Sequence, residues 1–343
     1  MIQSNLLLWF GILAVAVFAT HWGAEQLTKQ LKKLRKQWGL TQIAGGALIG
    51  LAAASPEIGI NITSASRGVA DIGLGVMLGS NIVAIPLMMT IAYAASRSAS
   101  LGSGDEQGET QEEHEQHREE HLLRVKREAV SLLAGPYIGI LLLVAALTVP
   151  AGWRGLQPVD GVVMGIAYLV FLAQAVVRGR TESEEVEWKR KELALAGAGF
   201  VVLALGAYFT VRATENIISA LGISRIVGGL FITAIMATTP EIFATWKVVR
   251  SGQVTAGTTS VIGDHAVTMT VAFIPLALVT VPVQNVQLYI VNIIFVILMP
   301  VTYAVLIHVG EHEHGFERWE VGALDLLYVL YVAIIAFWVL NIV

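Results

Sequence analysis

Two glutamates carry the most informative chemistry in this sequence, because each lies near the middle of a long apolar run. They are Glu57 and Glu241, and each directly follows a proline. An unpaired carboxylate in such surroundings costs a large amount of free energy. A lone glutamate could be protonated and hydrogen-bonded inside a helix bundle. Two glutamates in the same local context favour a cation-binding site.

The two prolines are expected to add oxygen ligands beside these carboxylates. Pro56 has no N–H to donate and its ring crowds the carbonyl of Ala52, and Pro240 does the same to Met236. Free carbonyls and carboxylates are the hard oxygen ligands that Ca2+, and likewise Na+, prefer. We therefore predict that the carbonyls of Ala52 and Met236 are available to a cation. A purely structural kink at each proline is compatible with this interpretation.

A second polar segment follows each glutamate along the chain. It reads Gly79-Ser80-Asn81 after the first glutamate and Gly263-Asp264-His265 after the second, so Asp264 is a third acid in an apolar run. Three acids without a nearby Lys or Arg suit a divalent cation or several monovalent ones, and they disfavour an anion. His265 is either a packing residue or a proton-coupling group, because the ordinary pKa of histidine lies near physiological pH.

Helical spacing adds polar side chains to the face that carries each glutamate. Asn61 and Thr245 lie one turn after the two glutamates, and Thr238 lies one turn before Glu241. Residues three or four apart share a helix face. The hydroxyl of Thr238 is therefore a candidate ligand, with Ser80 and Asn81 from the second polar segment.

The composition shows which elements must position these residues. Of the 343 residues, 55% are hydrophobic and 14% charged, and the mean hydropathy is +0.68. Soluble chains carry roughly a quarter charged residues, so this chain must face lipid. A net charge of -4 leaves no basic surface for nucleic acid. The absence of cysteine excludes disulfides, thiolate nucleophiles and cysteine-ligated metals.

Runs of about 20 residues with few charges predict ten membrane-spanning helices. We therefore expect an all-α integral membrane protein with ten transmembrane helices. The first run is interpreted as a retained span rather than a signal peptide, because no basic residues precede it. The predicted spans are 5–22, 43–65, 70–94, 129–149, 159–177, 192–211, 226–246, 255–281, 285–307 and 320–342.

Positive charge predicts how the chain is oriented in the membrane. With both termini outside, the inside loops collect 18 of the 22 Lys and Arg residues, and cytoplasmic loops are the ones rich in these residues. We expect a multi-pass protein of the plasma (inner) membrane. The outside residues are Arg67, Arg154, Arg212 and Arg225.

Three hydrophilic stretches connect the predicted spans. Residues 96–127 form a cytoplasmic loop, residues 178–191 a charged connector, and residues 308–319 a third stretch rich in His and Glu. A regulatory metal site in 105–121 is one possible role of its histidines, and a solvated acidic face is the other. The histidines of these stretches are His114, His117, His121, His308, His312 and His314.

The chain matches itself at an offset of 184 residues, which predicts an internal repeat. Five predicted spans separate the copies, and an odd number reverses their direction in the membrane. We expect a first five-helix repeat in 1–177 and an inverted second repeat in 192–343. Such repeats are typical of secondary transporters, although a gated channel could share the symmetry. Matching pairs are Gly45/Gly229, Ala53/Ala237, Pro56/Pro240, Glu57/Glu241, Ile58/Ile242, Gly68/Gly252 and Gly79/Gly263.

The repeated segments resemble the two alpha-repeats of the calcium/cation antiporter superfamily, nearest to its sodium/calcium exchanger type. The segments are GLAAASPEIGINITSASRG at 50–68 with Gly79-Ser80-Asn81-Ile82, and ALGISRIVGGLFITAIMATTPEIFATWKVVRSG at 220–252. The family pattern is Gly-Thr-Ser-x-Pro-Glu, followed about two dozen residues later by Gly-Ser-Asn. The resemblance implies that Glu57 and Glu241 bind ions and that Ser80 is the serine of the second motif.

Several positions depart from the family pattern. Ala53-Ala54 and Ala237-Thr238 stand where Thr-Ser is usual, and Asp264 replaces a serine. Ala84 and Thr268 stand where sodium/calcium exchangers carry Asn or Asp. Fewer side-chain oxygens should weaken separate sodium sites more than a central divalent site, so H+ is a credible counter-ion beside Na+. Ca2+ is retained as the substrate on the resemblance.

These features predict an antiporter that exchanges Ca2+ for Na+ or H+ by alternating access at a midplane two-glutamate site. The resemblance implies that the first span of each half, 5–22 and 192–211, moves against the rest. The alternative is a cation channel, or a metal-sensing membrane protein on the same scaffold. Motifs of intramembrane enzymes are missing, so we expect no enzyme activity. We also expect a monomer without cofactor, whose partners are membrane lipid and inorganic cations.

Overall fold

The computed structural model describes residues 2–40, 50–98, 115, 118–125, 127–178, 183–309 and 315–341. Helices dominate this part of the chain. In the first half they are α1 (Ile2–Gln37), α2 (Ser55–Ser66), α3 (Ala70–Ser96), α4 (Arg127–Thr148) and α5 (Pro158–Arg178). In the second half they are α6 (Arg190–Leu221), α7 (Arg225–Gly228), α8 (Ala234–Arg250), α9 (Val254–Thr268), α10 (Phe273–Leu278), α11 (Val286–Val309) and α12 (Arg318–Ala333).

Seven helical stretches of the described chain are long and apolar enough to cross a membrane. Two shorter apolar helices, Ala134–Thr148 and Pro158–Val170, coincide with the predicted fourth and fifth spans. The prediction of a helical membrane protein is therefore confirmed. The number of ten spans and the inverted relation of the two halves stay predictions.

Two short strand pairs accompany the helices in the part of the chain that the structure describes. Strand β1 (Leu122–Arg124) pairs antiparallel with β4 (Gly315–Glu317), and β2 (Gly155–Leu156) pairs antiparallel with β3 (Val281–Pro282). The first pair joins the ends of the two histidine-rich stretches. Residues 105–114, His117 and residues 311–314 lie outside the described residues, so their predicted metal or solvated role is untested.

Several expected boundaries differ in the structure. The predicted span 192–211 lies within α6, which continues to Leu221 and so includes Arg212, placed in an outside loop. The basic residues 29–36, placed in an inside loop, belong to α1, because Leu, Lys, Gln and Arg are good helix formers and the helix continues past the apolar run. The predicted span 255–281 is interrupted at 269–272, where hydrogen-bonded turns separate α9 from α10. Interrupted helices leave backbone groups free beside a membrane site.

The long helices deviate twice from α geometry. Residues Gly229–Thr233 form a π-helical turn between α7 and α8, and Ile334–Val339 forms another after α12. Such turns leave carbonyls without the usual helical partner and occur often at functional sites. The first of these turns lies seven residues before Pro240, within the segment that carries Glu241.

The described chain divides into two compact units. Unit 1 comprises Met1–Gly79, Ala146–Ala237 and Gly263–Val283, and unit 2 comprises Ser80–Ala145, Thr238–Ile262 and Gln284–Val343. Each unit takes segments from both predicted repeats. Residues distant in sequence are therefore neighbours within each unit.

The most extensive helix contact in unit 1 joins α1 to α6. It depends on glycine: a Cβ on Gly206 would lie 2.8 Å from the carbonyl oxygen of Ala16 and 2.9 Å from the backbone nitrogen of Thr20. Small residues let membrane helices approach this closely, because lipid supplies no hydrophobic force between them. The ion pair of Lys33 with Glu192 adds a polar contact between the same helices.

Candidate functional site

Proline determines where α2 begins. Residues 50–53 are helical, Ala54 forms a turn, and α2 starts at Ser55 with Pro56 in its first turn. A proline is tolerated there because the first N–H groups of a helix have no helical partner. The carbonyl of Ala52 accepts a hydrogen bond from Ser55 Oγ at 2.7 Å. The turn at Ala54 thus interrupts the predicted span 43–65, and the Ala52 oxygen keeps one lone pair for another partner.

Glu57 lies in the first turn of α2 and is only 4% exposed. Its Oε2 atom is buried and has no hydrogen-bond partner among the described residues. A buried carboxylate oxygen without a partner is costly unless a cation or a proton compensates its charge. Glu57 therefore has the burial expected of an ion-binding acid.

Asp264 is the second candidate ligand acid in unit 1. It lies in α9, and its Oδ1 atom is also buried and without a hydrogen-bond partner in the described chain. The carboxyl groups of Glu57 and Asp264 are close enough to repel each other electrostatically. Unit 1 thus brings together an acid from each predicted repeat, and two such acids attract cations.

The interruption after α9 is connected directly to α2. Asn61, one turn after Glu57, donates a hydrogen bond from Nδ2 to the carbonyl oxygen of Ala272 at 2.7 Å. Thr268 Oγ1 contacts the carbonyl oxygen of Asp264 at 3.2 Å, and His265 is buried. Thr268 thus stabilises the last turn of α9, and Asn61 holds the interrupted segment that follows the helix carrying Asp264.

Met236 lies at the start of α8, and its side chain packs against a buried cluster that includes Leu13 and Ile217. Pro240 lies inside α8, where it cannot donate a hydrogen bond to the Met236 carbonyl. The two prolines therefore act differently. Pro56 starts a new helix, whereas Pro240 is accommodated within a continuous one.

The remaining candidate ligands belong to unit 2. Ser80, Asn81 and Thr238 are buried, and Glu241 is half-buried. Asn81 Oδ1 accepts a hydrogen bond from the hydroxyl of Tyr137 at 2.6 Å. That bond fixes the orientation of the Asn81 amide. Tyr137 was not predicted from the sequence, where its only signal is a polar group within the apolar fourth span.

Thr245, expected on the face of Glu241, donates its hydroxyl to the sulfur of Met88 at 3.0 Å within unit 2. Ser64 was also missed, although the spacing that identified Asn61 reaches it after one further turn. It is fully buried, and its Oγ has no hydrogen-bond partner among the residues described.

The candidate ligands are thus distributed between the units. Unit 1 contains Ala52, Glu57, Met236, Asp264, His265 and Thr268, and unit 2 contains Ser80, Asn81, Thr238 and Glu241. Joint use of Glu57 and Glu241 stays a prediction. Within the described ranges, no three His, Asp or Glu side chains are grouped as a metal site. A cation would therefore need hydroxyl, amide and carbonyl oxygens beside the acids.

Comparison with known proteins gives a consistent result. A family model described as "Sodium/calcium exchanger protein" matches residues 8–177 and 191–337. A structure of the sodium-calcium exchanger NCX_Mj soaked with Na+ and Sr2+ is 19% identical, with a TM-score of 0.59, covering 96% of this chain and 98% of that one. A structure of NCX_Mj soaked with Na+ and without Ca2+ is also 19% identical, with a TM-score of 0.59, covering 96% and 99%.

The H+/Ca2+ exchanger CAX is 14% identical, with a TM-score of 0.66, over 96% of this chain and 81% of that chain. No curated protein sequence matches the chain. At these identities the solved structures support the fold, whereas the family match extends over both halves of the sequence and includes both glutamate segments. The chain belongs to the sodium/calcium exchanger protein family.

Proposed function

We propose that this protein is a secondary active antiporter that exchanges Ca2+ for Na+ or H+ across the membrane. The observation that supports it most is that Glu57 and Asp264, two acids from opposite halves, interact electrostatically and each has a buried oxygen without a hydrogen-bond partner among the described residues. Hard oxygen ligands with two negative charges match a divalent cation. Membership of the family makes ion exchange the natural activity of such a site.

The proposed mechanism is alternating access around Glu57 and Glu241. Ca2+ and the counter-ion compete for the same carboxylates, and a site that is empty and fully charged is too costly to move through the membrane. Exchange is then obligatory because the site changes sides only when it is occupied. The two five-helix repeats, 1–177 and 192–343, would supply the two equivalent conformations.

The direct test is the uptake of radiolabelled Ca2+ into proteoliposomes, with Na+ and proton gradients imposed separately. We expect uptake with at least one gradient, and a fall to the level of empty liposomes for Glu57→Gln and for Glu241→Gln. Glu25→Gln is the matched control, because Glu25 is an exposed acid of α1. Wild-type exchange by both glutamate variants would refute the carboxylate assignment.

The same measurement separates the alternative functions. Uptake that needs no opposing gradient and has the throughput of a channel would favour the passive channel. Tight metal binding by the whole protein without any transport would favour the sensor. Replacing Ca2+ by Mg2+ or Mn2+ in the same vesicles identifies the preferred cation.

The proposed topology is testable separately, because the chain contains no cysteine. Single cysteines placed near either terminus should react with a membrane-impermeant thiol reagent added outside intact cells. A cysteine in the connector 183–189 should react only after the membrane is permeabilised. The reverse pattern would contradict the proposed orientation with both termini outside.

A further inference from the structure

A stripe of three buried polar side chains runs along one face of α2. It consists of Glu57, Asn61 and Ser64, spaced by four and three residues, and we call it the α2 polar stripe. This spacing places all three on the same side of the helix. They are 4%, 0% and 0% exposed, respectively. At about 1.5 Å per residue, the stripe extends about 10 Å along the helix axis.

Each member of the stripe has an oxygen without a hydrogen-bond partner among the described residues. The atoms are Glu57 Oε2, Asn61 Oδ1 and Ser64 Oγ. The amide of Asn61 is held in place by the bond from its Nδ2 to Ala272, so its Oδ1 remains available as an acceptor. Buried polar atoms of native proteins are nearly always satisfied, by water or an ion where protein groups do not suffice.

The wall facing the stripe is made by a glycine. A Cβ on Gly73 of α3 would lie 2.7 Å from Asn61 Oδ1, 3.1 Å from Ser64 Cβ and 2.9 Å from Leu276 Cδ2. Any larger residue at this position would therefore fill the space beside Asn61 and Ser64. An added methyl group at Gly73 would therefore press on the Asn61 oxygen and on the Cβ atom of Ser64.

The electrostatic surroundings of the stripe suit a positive ion. Glu57 at one end is an acid, and Asn61 and Ser64 contribute neutral oxygens. The nearest cationic residue along α2 is Arg67, whose guanidinium is bonded to Glu215 at 2.7 Å. Its charge is thereby balanced, so it opposes a cation at Ser64 less than an unpaired arginine would.

We propose that Asn61 Oδ1 and Ser64 Oγ form an accessory site for the monovalent counter-ion, beside the acid that binds the exchanged cation. The ligand class is a small hard monovalent cation, either Na+ or a hydrated proton. Two neutral oxygens provide too little negative charge for a divalent ion, which needs carboxylates. This inference rests on the proposed antiport function and assigns residues to one of its two ions.

The site makes a selective prediction for Ser64→Ala in proteoliposomes. The variant removes one hydroxyl and introduces no bulk. The counter-ion concentration for half-maximal Ca2+ exchange should rise about ten- to a hundredfold, the effect of losing one contact to a charged ligand. The Ca2+ concentration for half-maximal exchange should stay within about twofold of the wild-type value. An effect confined to the Na+ gradient identifies Na+, and one confined to the proton gradient identifies the proton.

Ser66→Ala is the matched control, because Ser66 lies two residues away on the same helix, is exposed, and bonds the carbonyl of Thr63. It should leave both half-saturation values unchanged. Gly73→Ala should reproduce the counter-ion defect of Ser64→Ala from the opposite wall. Unchanged counter-ion dependence in both Ser64→Ala and Gly73→Ala would overturn the accessory site.

A binding measurement makes the test independent of transport. The thermal unfolding midpoint of the purified protein is compared in NaCl and in choline chloride, and at two pH values. The wild-type shift produced by Na+ or by protons should shrink in Ser64→Ala. If the hydroxyl were merely unsatisfied, its removal would raise the midpoint equally in every buffer, and the proposal would be wrong. Failure of the antiport itself is recognised separately, by wild-type liposomes that show no exchange.

Discussion

Arg67, at the C-terminal end of α2, donates two hydrogen bonds to a single carboxylate oxygen of Glu215 in α6. Nε and Nη2 donate to Oε2 at 3.2 Å and 2.7 Å. Both side chains are less than a quarter exposed, at 23% and 22%. The guanidinium also lies 5.2 Å from the centre of the Tyr208 ring. This contact joins the helix of Glu57 to α6, which is itself packed closely on α1.

We expect Arg67→Gln to destabilise the protein by about 1–2 kcal/mol, because it leaves Glu215 partly buried without its partner. The thermal unfolding midpoint of the purified protein in detergent measures this. Lys29→Gln is the control, since its pair with Glu25 is more than half exposed and contributes little. Equal unfolding midpoints for Arg67→Gln and Lys29→Gln would show that the Arg67–Glu215 pair contributes no more to stability than the exposed Lys29–Glu25 pair.

Tyr137→Phe tests whether the orientation of Asn81 matters for Ca2+. Loss of the hydroxyl leaves Asn81 Oδ1 without this bond, so we expect a loss of about 1–2 kcal/mol in stability. If Asn81 is a ligand, the Ca2+ concentration for half-maximal exchange should rise as well.

Tyr331→Phe is the matched control for that experiment. Tyr331 donates to Asn292 Oδ1 at 2.7 Å, also in unit 2, and both residues are buried. It should lower stability by a similar amount while leaving the Ca2+ dependence unchanged. The role of Asn81 as a ligand is contradicted if the two tyrosine variants have the same Ca2+ dependence.

Asp264→Asn should separate stability from Ca2+ binding. Without Ca2+ the variant is expected to unfold about 1–3 °C higher than wild type, because it removes the repulsion between Asp264 and Glu57. The stabilisation that saturating Ca2+ gives wild type, about 2.7 kcal/mol at a hundredfold excess over Kd, should shrink. Thermal unfolding with Ca2+ or with a chelator measures both effects.

Asp160→Asn provides the comparison, because Asp160 is a buried acid of unit 1 whose Oδ2 accepts a bond from the backbone of Gln157 at 2.8 Å. It should lower stability and leave the Ca2+-induced shift intact. A full Ca2+ shift in Asp264→Asn would remove Asp264 from the site.

The α1–α6 contact predicts a difference between two glycines of the same helix. Gly206→Ala should destabilise the protein by about 1–3 kcal/mol, because its Cβ would press on the backbone of α1. Gly197→Ala should be neutral or stabilising by up to about 1 kcal/mol, since no atom of the described residues lies within 4 Å of its Cβ position. Equal unfolding midpoints would mean that α1 and α6 adjust easily to added bulk.

Much of the architecture is predictable from the sequence alone, because lipid offers the backbone no hydrogen-bond partners. An apolar run of sufficient length has to be helical there, since every backbone group needs an internal partner. For this reason most predicted spans coincide with helices of the described chain, and the sequence alone marks Glu57, Glu241 and Asp264 as acids within apolar runs. The two prolines likewise predict freed carbonyls, although only Pro56 begins a new helix.

The packing partners of these helices could not be predicted from the sequence. Helical periodicity indicates which residues share a face, but not which helix lies opposite that face. Asn61 was placed on the face of Glu57, but its partner is a carbonyl 211 positions later. The interruption at 269–272 contains no proline or glycine, but Pro275 in the first turn of α10 is a local signal of a helix start that the continuous span 255–281 overlooked. Residue types and spacing thus established a helical membrane protein with acids in its spans, whereas packing in three dimensions chose the neighbour of each polar group.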